Sequence, residues 1–212
     1  MNKCQLINLT IQRLCNSGTP LLPPEYQQVE YIANSGRAYI NTGISPSDDF
    51  GARAVYMQTD AVSVSNVYGT VLRSGVGYFG VNIDRNRNLY YSWGTIYSTN
   101  SKITLNTLYE DSLNYLNNRK YVSVYGEFAL ANVTITTAPV YVFDFNNNGT
   151  GFASQPFIGR VYEIEFTRGS SVVSHCIPCY RKSDNKPGMY DLVTNTFYTN
   201  AGTGEFTVGN NV

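Results

Sequence analysis

Charge is scarce in this 212-residue chain: 15 Lys and Arg face 15 Asp and Glu, 14% of all residues, where an ordinary soluble domain carries about 25%. The formal net charge is zero, so nothing draws the chain electrostatically to phosphate backbones or anionic lipid heads. Neither nucleic acid nor a membrane is an expected partner. Long apolar runs are missing as well. No stretch approaches the roughly 20 apolar residues of a membrane-spanning helix. Residues 1–15 carry polar groups throughout, whereas a signal peptide needs a continuous apolar region of about 7–15 residues. The sequence therefore predicts synthesis and maturation in a cytoplasm.

Metal ligands and nucleophile partners are also few. His175 is the single histidine, and the four cysteines fall into two pairs, Cys4 with Cys15 and Cys176 with Cys179. Cys176-Ile-Pro-Cys179 has the spacing of half a zinc site. Cys4 and Cys15 are too far apart in sequence to form the matching knuckle, so free thiols in a reducing compartment and no metal are expected. A dyad of Cys176 with His175 is excluded, because adjacent residues of a strand point to opposite faces. Gly75-Val-Gly-Tyr-Phe-Gly80 lacks the following helix whose N-terminus a phosphate would need. No cofactor is expected.

What the chain does have is tyrosine, 18 residues of it, with 10 Phe and a hydrophobic fraction of 42%, enough to bury a core and to exclude disorder. From Tyr26 onward short segments rich in β-branched and aromatic residues alternate with Gly, Asn, Ser and Asp. They include 26–33, 38–42, 51–57, 67–72, 78–83, 89–93, 121–125, 133–137, 140–145, 158–166 and 172–177. Many short strands separated by turns predict an antiparallel sandwich or barrel. Helix signals are confined to the N-terminal segment and Leu105–Leu116. In Val161-Tyr-Glu-Ile-Glu-Phe166 the alternation predicts Val161, Glu163 and Glu165 on one face and Tyr162, Ile164 and Phe166 on the other.

The N-terminal segment stands apart. Ile7, Ile11 and Leu14 fit a helical face, while Ile7, Leu9 and Ile11 equally fit strand alternation. Pro20, Pro23 and Pro24 then make an extended spacer. The predicted organisation is an anchor and linker over 1–24 and one sandwich over 25–212. An amphipathic stretch that cannot bury Leu6, Ile7, Leu9, Ile11 and Leu14 alone docks back on the domain or attaches to another chain.

Three closing motifs carry a resemblance: Gly159-Arg-Val-Tyr-Glu-Ile-Glu-Phe166, Ile177-Pro-Cys-Tyr-Arg-Lys-Ser-Asp184, and Gly188-Met-Tyr-Asp-Leu-Val193 followed by Phe197-Tyr-Thr-Asn-Ala-Gly-Thr-Gly204. The opening Leu22-Pro-Pro-Glu-Tyr-Gln-Gln-Val-Glu-Tyr-Ile32 and Tyr39-Ile-Asn-Thr-Gly-Ile44 match it too. Over residues 22–208 the chain resembles concanavalin A-like, laminin G-like jelly rolls. Such domains are frequent in virion proteins of bacteriophages of gut bacteria, including crAss-like phages. The resemblance implies an all-β, antiparallel jelly-roll sandwich serving as a structural or recognition module without a defined catalytic activity. The expected function is a non-enzymatic virion protein, a head fibre or decoration. It would assemble in the host cytoplasm, be exposed on the particle and be held to capsid or other virion proteins through residues 1–24. A homo-oligomer, dimer or trimer, would lend avidity to weak host-glycan contacts. The alternative is a tail-associated receptor-binding or glycan-depolymerising protein.

Candidate sites follow from residue chemistry. Tyr90, Tyr91, Trp93 and Tyr97, with Asn86 and Asn88 nearby, form the most sugar-like cluster, although alternate aromatics also build cores. Glu163 and Glu165 share a strand face as a glycosidase pair would, but the jelly-roll glucanases resemble one another in three alternating acids, and the flanking positions here are Val161 and Thr167. No catalytic residue is assigned. Asp48-Asp49, and Asp144 followed by Asn146-Asn-Asn-Gly149, offer oxygen ligands for Ca²⁺, but ordinary turns use the same residues.

Overall fold

The computed structural model describes residues 22–60, 64–71, 77–116, 119–122, 126–128, 136–152 and 155–212, with the side chains of 95, 97, 100 and 114–128 outside the description. Strand-forming segments pair into two sheets, and no helix occurs among the described residues. The larger sheet holds β1 (Tyr26–Gln28), β2 (Ile32–Asn34), β4 (Phe50–Gln58), β8 (Leu108–Leu116), β9 (Arg119–Val122), β10 (Gly126–Phe128), β14 (Gly159–Arg168), β15 (Ser171–Arg181), β16 (Lys186–Asp191), β17 (Thr196–Thr199) and β18 (Phe206–Val208). Its main path runs β10-β9-β8-β4-β14-β15-β16-β17, with β1 against β15 and β2 between β14 and β18. The smaller sheet holds β3 (Ile40–Asn41), β5 (Val64–Val71), β6 (Tyr78–Asp84), β7 (Asn88–Lys102), β11 (Tyr141–Val142), β12 (Phe145–Asn147) and β13 (Thr150–Gly151). All strand pairs are antiparallel except β12 with β5. The fold is an all-β, jelly-roll-like sandwich, as the sequence predicts.

Alternation sends one side of each strand inward. Phe50, Ala52, Ala54 and Tyr56 of β4 meet Ile164 and Phe166 of β14, and across the gap Tyr68, Phe79, Val81, Ile83, Tyr91 and Trp93 of the smaller sheet. The rings interlock: Phe50 stacks on Phe166 at 5.5 Å and meets Phe79 edge-on at 5.1 Å, and Phe79 meets Trp93 edge-on at 5.6 Å. Each buried aromatic of this size contributes about 1.5–3 kcal/mol through area removed from water.

Gly69 and Gly80 face one another across β5 and β6. The Phe145 ring lies against both, and a Cβ on Gly80 would collide with the Tyr68 carbonyl oxygen and the Gly69 Cα. The two absent side chains let this ring seal the sandwich.

Leu105–Leu116 is not helical. Residues 108–116 form β8, paired with β4 from Ala52↔Leu113 to Met57↔Leu108. The register decides it, placing Asp111 and Leu113 opposite the core residues Ala54 and Ala52, while Glu110 reaches the outward Arg53. At the start of the described chain, Leu22 is buried in a small second cluster with Ile177, Cys179 and Tyr190, packed by Tyr26, Leu192 and Phe197. The Pro23 carbonyl accepts the Tyr26 N–H, and Lys182 Nζ donates to the Pro24 carbonyl, so residues 22–24 dock on the domain. The attachment candidates Leu6, Ile7, Leu9, Ile11 and Leu14 lie outside the described residues.

Candidate functional site

The outer face of the larger sheet carries a buried carboxylate, Glu163, beside partly exposed charged groups. On β4 the residues alternating with the core set are Arg53, Val55 and Met57. On β15 His175 points outward while Cys176 enters the core. β14 departs from simple alternation. Val161 lies opposite Tyr56, and the next register pair is Glu163 opposite Val55, so Tyr162 is one residue too many. Such a bulge re-aims side chains and increases local twist. Its effect corrects the predicted faces: Val161 is a fully buried core residue together with Ile164 and Phe166, and Tyr162 joins Glu163 and Glu165 outside. An unbroken period of two has no means of showing the inserted residue.

A polar row crosses four strands at this point. Arg53 Nε donates to Glu110 Oε1 at 2.7 Å, and Arg53 Nη1 donates to Glu163 Oε1 at 2.8 Å. His175 Nε2 meets the same Glu163 oxygen at 2.9 Å. The Glu163 side chain is only 8% exposed, while Arg53 and His175 retain 19% and 22%. Burial alone would push the Glu163 carboxyl up, but hydrogen bonds from His175 and Arg53 and the guanidinium charge together hold it below the ordinary glutamate range. For Arg53 burial works against the charge, and the two carboxylates outweigh it. Removing either partner would leave a buried charge uncompensated, which keeps the row rigid. Glu165 lies across from both Arg53 and His175 in the strand register.

Beside the row, an aromatic pair shares the same face. Tyr31 meets Tyr162 edge-on at 5.4 Å, and the Arg160 guanidinium lies 4.4 Å from the centre of the Tyr31 ring. The Tyr162 hydroxyl points at Met57 Sδ, 4.0 Å away. A flat ring next to fixed charged acceptors and donors suits a ligand that offers both a C–H face and hydroxyls. The same fixing bears on catalysis. A general acid requires a raised pKa, and Glu163 is held low.

The aromatic cluster around Tyr90 is divided by its strand. Tyr91 and Trp93 are core residues, 2% and 0% exposed, and this corrects their expected part in a surface site. Outward neighbours in the smaller sheet leave Tyr90 half-buried, its hydroxyl 3.3 Å from Asp84 Oδ2. Asp84 also accepts the backbone N–H groups of Asn86 and Asn88 and the Asn88 amide. Those amides therefore hold the β6–β7 turn together. The Tyr97 side chain lies outside the description.

The two oxygen-rich stretches are built as turns. Ser47 Oγ donates to Asp49 Oδ1, and the Gly149 N–H donates to Asn146 Oδ1. Asp144 Oδ1 accepts the Phe145 N–H at 2.7 Å and the Asn66 amide at 3.4 Å. Burial pushes its carboxyl up to about 7 against those bonds and one from the Phe152 backbone. Cys176 and Cys179 are free, buried thiols in different clusters, and among the described residues no group of three or more acidic, histidine or cysteine ligands could hold a metal.

Arg53, Glu110, Tyr31 and Arg160 are the site residues that sequence reasoning passed over. The available signal was a lone cation in an otherwise apolar strand, Gly51-Ala-Arg-Ala-Val55.

No protein-family model and no curated protein matches the chain. Solved structures do. A "putative carbohydrate binding protein" from Bacteroides ovatus ATCC 8483 is similar with a TM-score of 0.54 and 14% identity, over 87% of this chain and 62% of that one. A Trypanosoma rangeli sialidase in complex with the inhibitor DANA aligns over 56% of this chain and 20% of its own, with 17% identity and a TM-score of 0.41. The present chain thus spans less than two thirds of the Bacteroides protein, and the likeness establishes the sandwich fold.

Proposed function

We propose that this chain is a non-enzymatic carbohydrate-binding β-sandwich module whose binding face is the outer side of the larger sheet around Glu163. The observation that carries the proposal is the bulge that sets Tyr162 and Glu163 on one face. It joins a tyrosine pair to a polar row already fixed by its own ion pairs, so little ordering entropy is lost when a sugar arrives. The carbohydrate-binding description of the similar Bacteroides protein supports the same reading. The non-enzymatic part of the proposal is supported by the shared Arg53 and His175 contacts of Glu163, which make that residue a poor proton donor near neutral pH.

The finer reading, display of this module on a bacteriophage particle through residues 1–24, is supported by the opening and closing sequence motifs alone. Electron cryo-microscopy of particles with and without residues 1–20 tests it: the truncated protein should stay folded and be lost from the particle. The binding proposal is tested on a glycan array followed by calorimetry. Tyr31→Ala and Arg53→Gln should each weaken binding of the retained sugar about tenfold while the fold persists by circular dichroism. Undiminished binding in both variants would remove the face from consideration.

A further inference from the structure

The charge balance of this same face points to its ligand class, and the inference rests on the carbohydrate reading above. Among the described side chains Glu110, Glu163 and Glu165 crowd a single guanidinium, Arg53, which already donates to two of them. Protonation of His175 would leave the row with three carboxylates against two cations. At the aromatic end Arg160 lies over the Tyr31 ring, and the Glu30 carboxylate, which accepts from Asn210, acts on the neighbouring Tyr162 hydroxyl. Arg53 Nε and Nη1 each already donate to a carboxylate, so a ligand carboxylate that reached this guanidinium would share a cation that glutamates already outnumber.

We infer that the face selects neutral saccharides and rejects those bearing carboxylates, the uronic and sialic acids. Hydroxyls of a neutral sugar can donate to Glu110 or Glu165 without adding charge. An approaching carboxylate instead meets uncompensated negative charge, and each such group within about 7 Å weakens binding by about threefold in water-like screening, and by more at a half-buried face.

The test uses the full chain and matched oligosaccharide pairs on an array, each uronic-acid polymer beside its carboxyl-reduced neutral form, with affinities then measured by calorimetry. At about 20 mM salt the neutral member of a bound pair should be favoured at least about tenfold, and the gap should narrow at about 500 mM, where charges are screened within a few ångströms. Glu165→Gln should reduce the low-salt preference by about threefold. Equal or tighter binding of the acidic member at low salt overturns this inference while leaving carbohydrate binding intact. Retention of no sugar of either kind overturns the carbohydrate reading and the inference with it.

Discussion

Replacing Asp144 with Asn isolates the cost of a carboxylate held away from water. Asp144 is 4% exposed, and no cation bonds it among the described residues. Its pKa rises from 3.8 to about 7, and burial is the largest cause. The unfolded chain releases this proton near pH 4, but the folded chain keeps it until about 7. Between those values the native state binds more protons, so stability falls as pH rises, and above the folded pKa the loss is complete. Three pKa units correspond to about 4 kcal/mol. An amide cannot ionise. It keeps the acceptor for the Phe145 N–H and forfeits one other contact worth about 1 kcal/mol. Asp144→Asn should therefore be less stable than the parent protein by about 1 kcal/mol at pH 4 and more stable by about 2–3 kcal/mol at pH 8.5. Urea unfolding at pH 4, 6 and 8.5 measures the difference at each point, in which the contributions of other titrating groups cancel. Parallel stability profiles, with no crossing between pH 4 and 8.5, would refute the reasoning.

Glu163 titrates in the opposite sense. Its folded pKa is depressed, so its ion pairs contribute above the unfolded value and are lost as pH falls through the folded one. Glu163→Gln should cost about 3 kcal/mol at pH 7 and progressively less as pH falls through the folded pKa, read from thermal melts across an acid series. Gly80→Ala should cost at least about 3 kcal/mol in urea unfolding, because φ is +141° there and the added methyl meets backbone. Tyr56→Phe removes a donor from the buried Asp111 carboxylate and should lower stability by about 1–3 kcal/mol. Cys176 and Cys179, whose thiols burial pushes up to about 12, should not react with a disulfide reagent in a Cys4→Ser/Cys15→Ser variant until denaturant is added. Fast labelling of the folded protein would contradict their burial.

The sheet architecture was legible because period-2 alternation survives in segments such as Gly51–Met57 and Tyr78–Ile83, and because turn residues bound them. Leu105–Leu116 was harder to assign, since Leu105, Leu108 and Leu113 satisfy no single period and only pairing with β4 makes Asp111 an inward residue. Asp111 could be buried there because Tyr56 donates to it, a partner 55 residues away in sequence. The site was half visible. Glu163 and Glu165 stood out as alternating acids, but the bulge that turns Tyr162 outward depends on how β14 meets β4. Trp93 illustrates the converse: an aromatic strand reads the same whether it faces a sugar or another sheet, and here its full burial in the core shared with Phe50, Ala52 and Ala54 of the larger sheet settles it.

The pairing of β18 with β2 has a mechanical consequence. It brings the last residues beside the first strands, with Asn211 bridged to Val29 and the Val212 N–H bonded to the Gln28 carbonyl. Because these segments are antiparallel and their free ends lie on the same side, tension drawn between residue 22 and residue 212 would load the rungs one after another, as in a zipper. The domain should accordingly peel at low force from this corner, while a pull directed through β4 and β14 would load their many rungs together in shear.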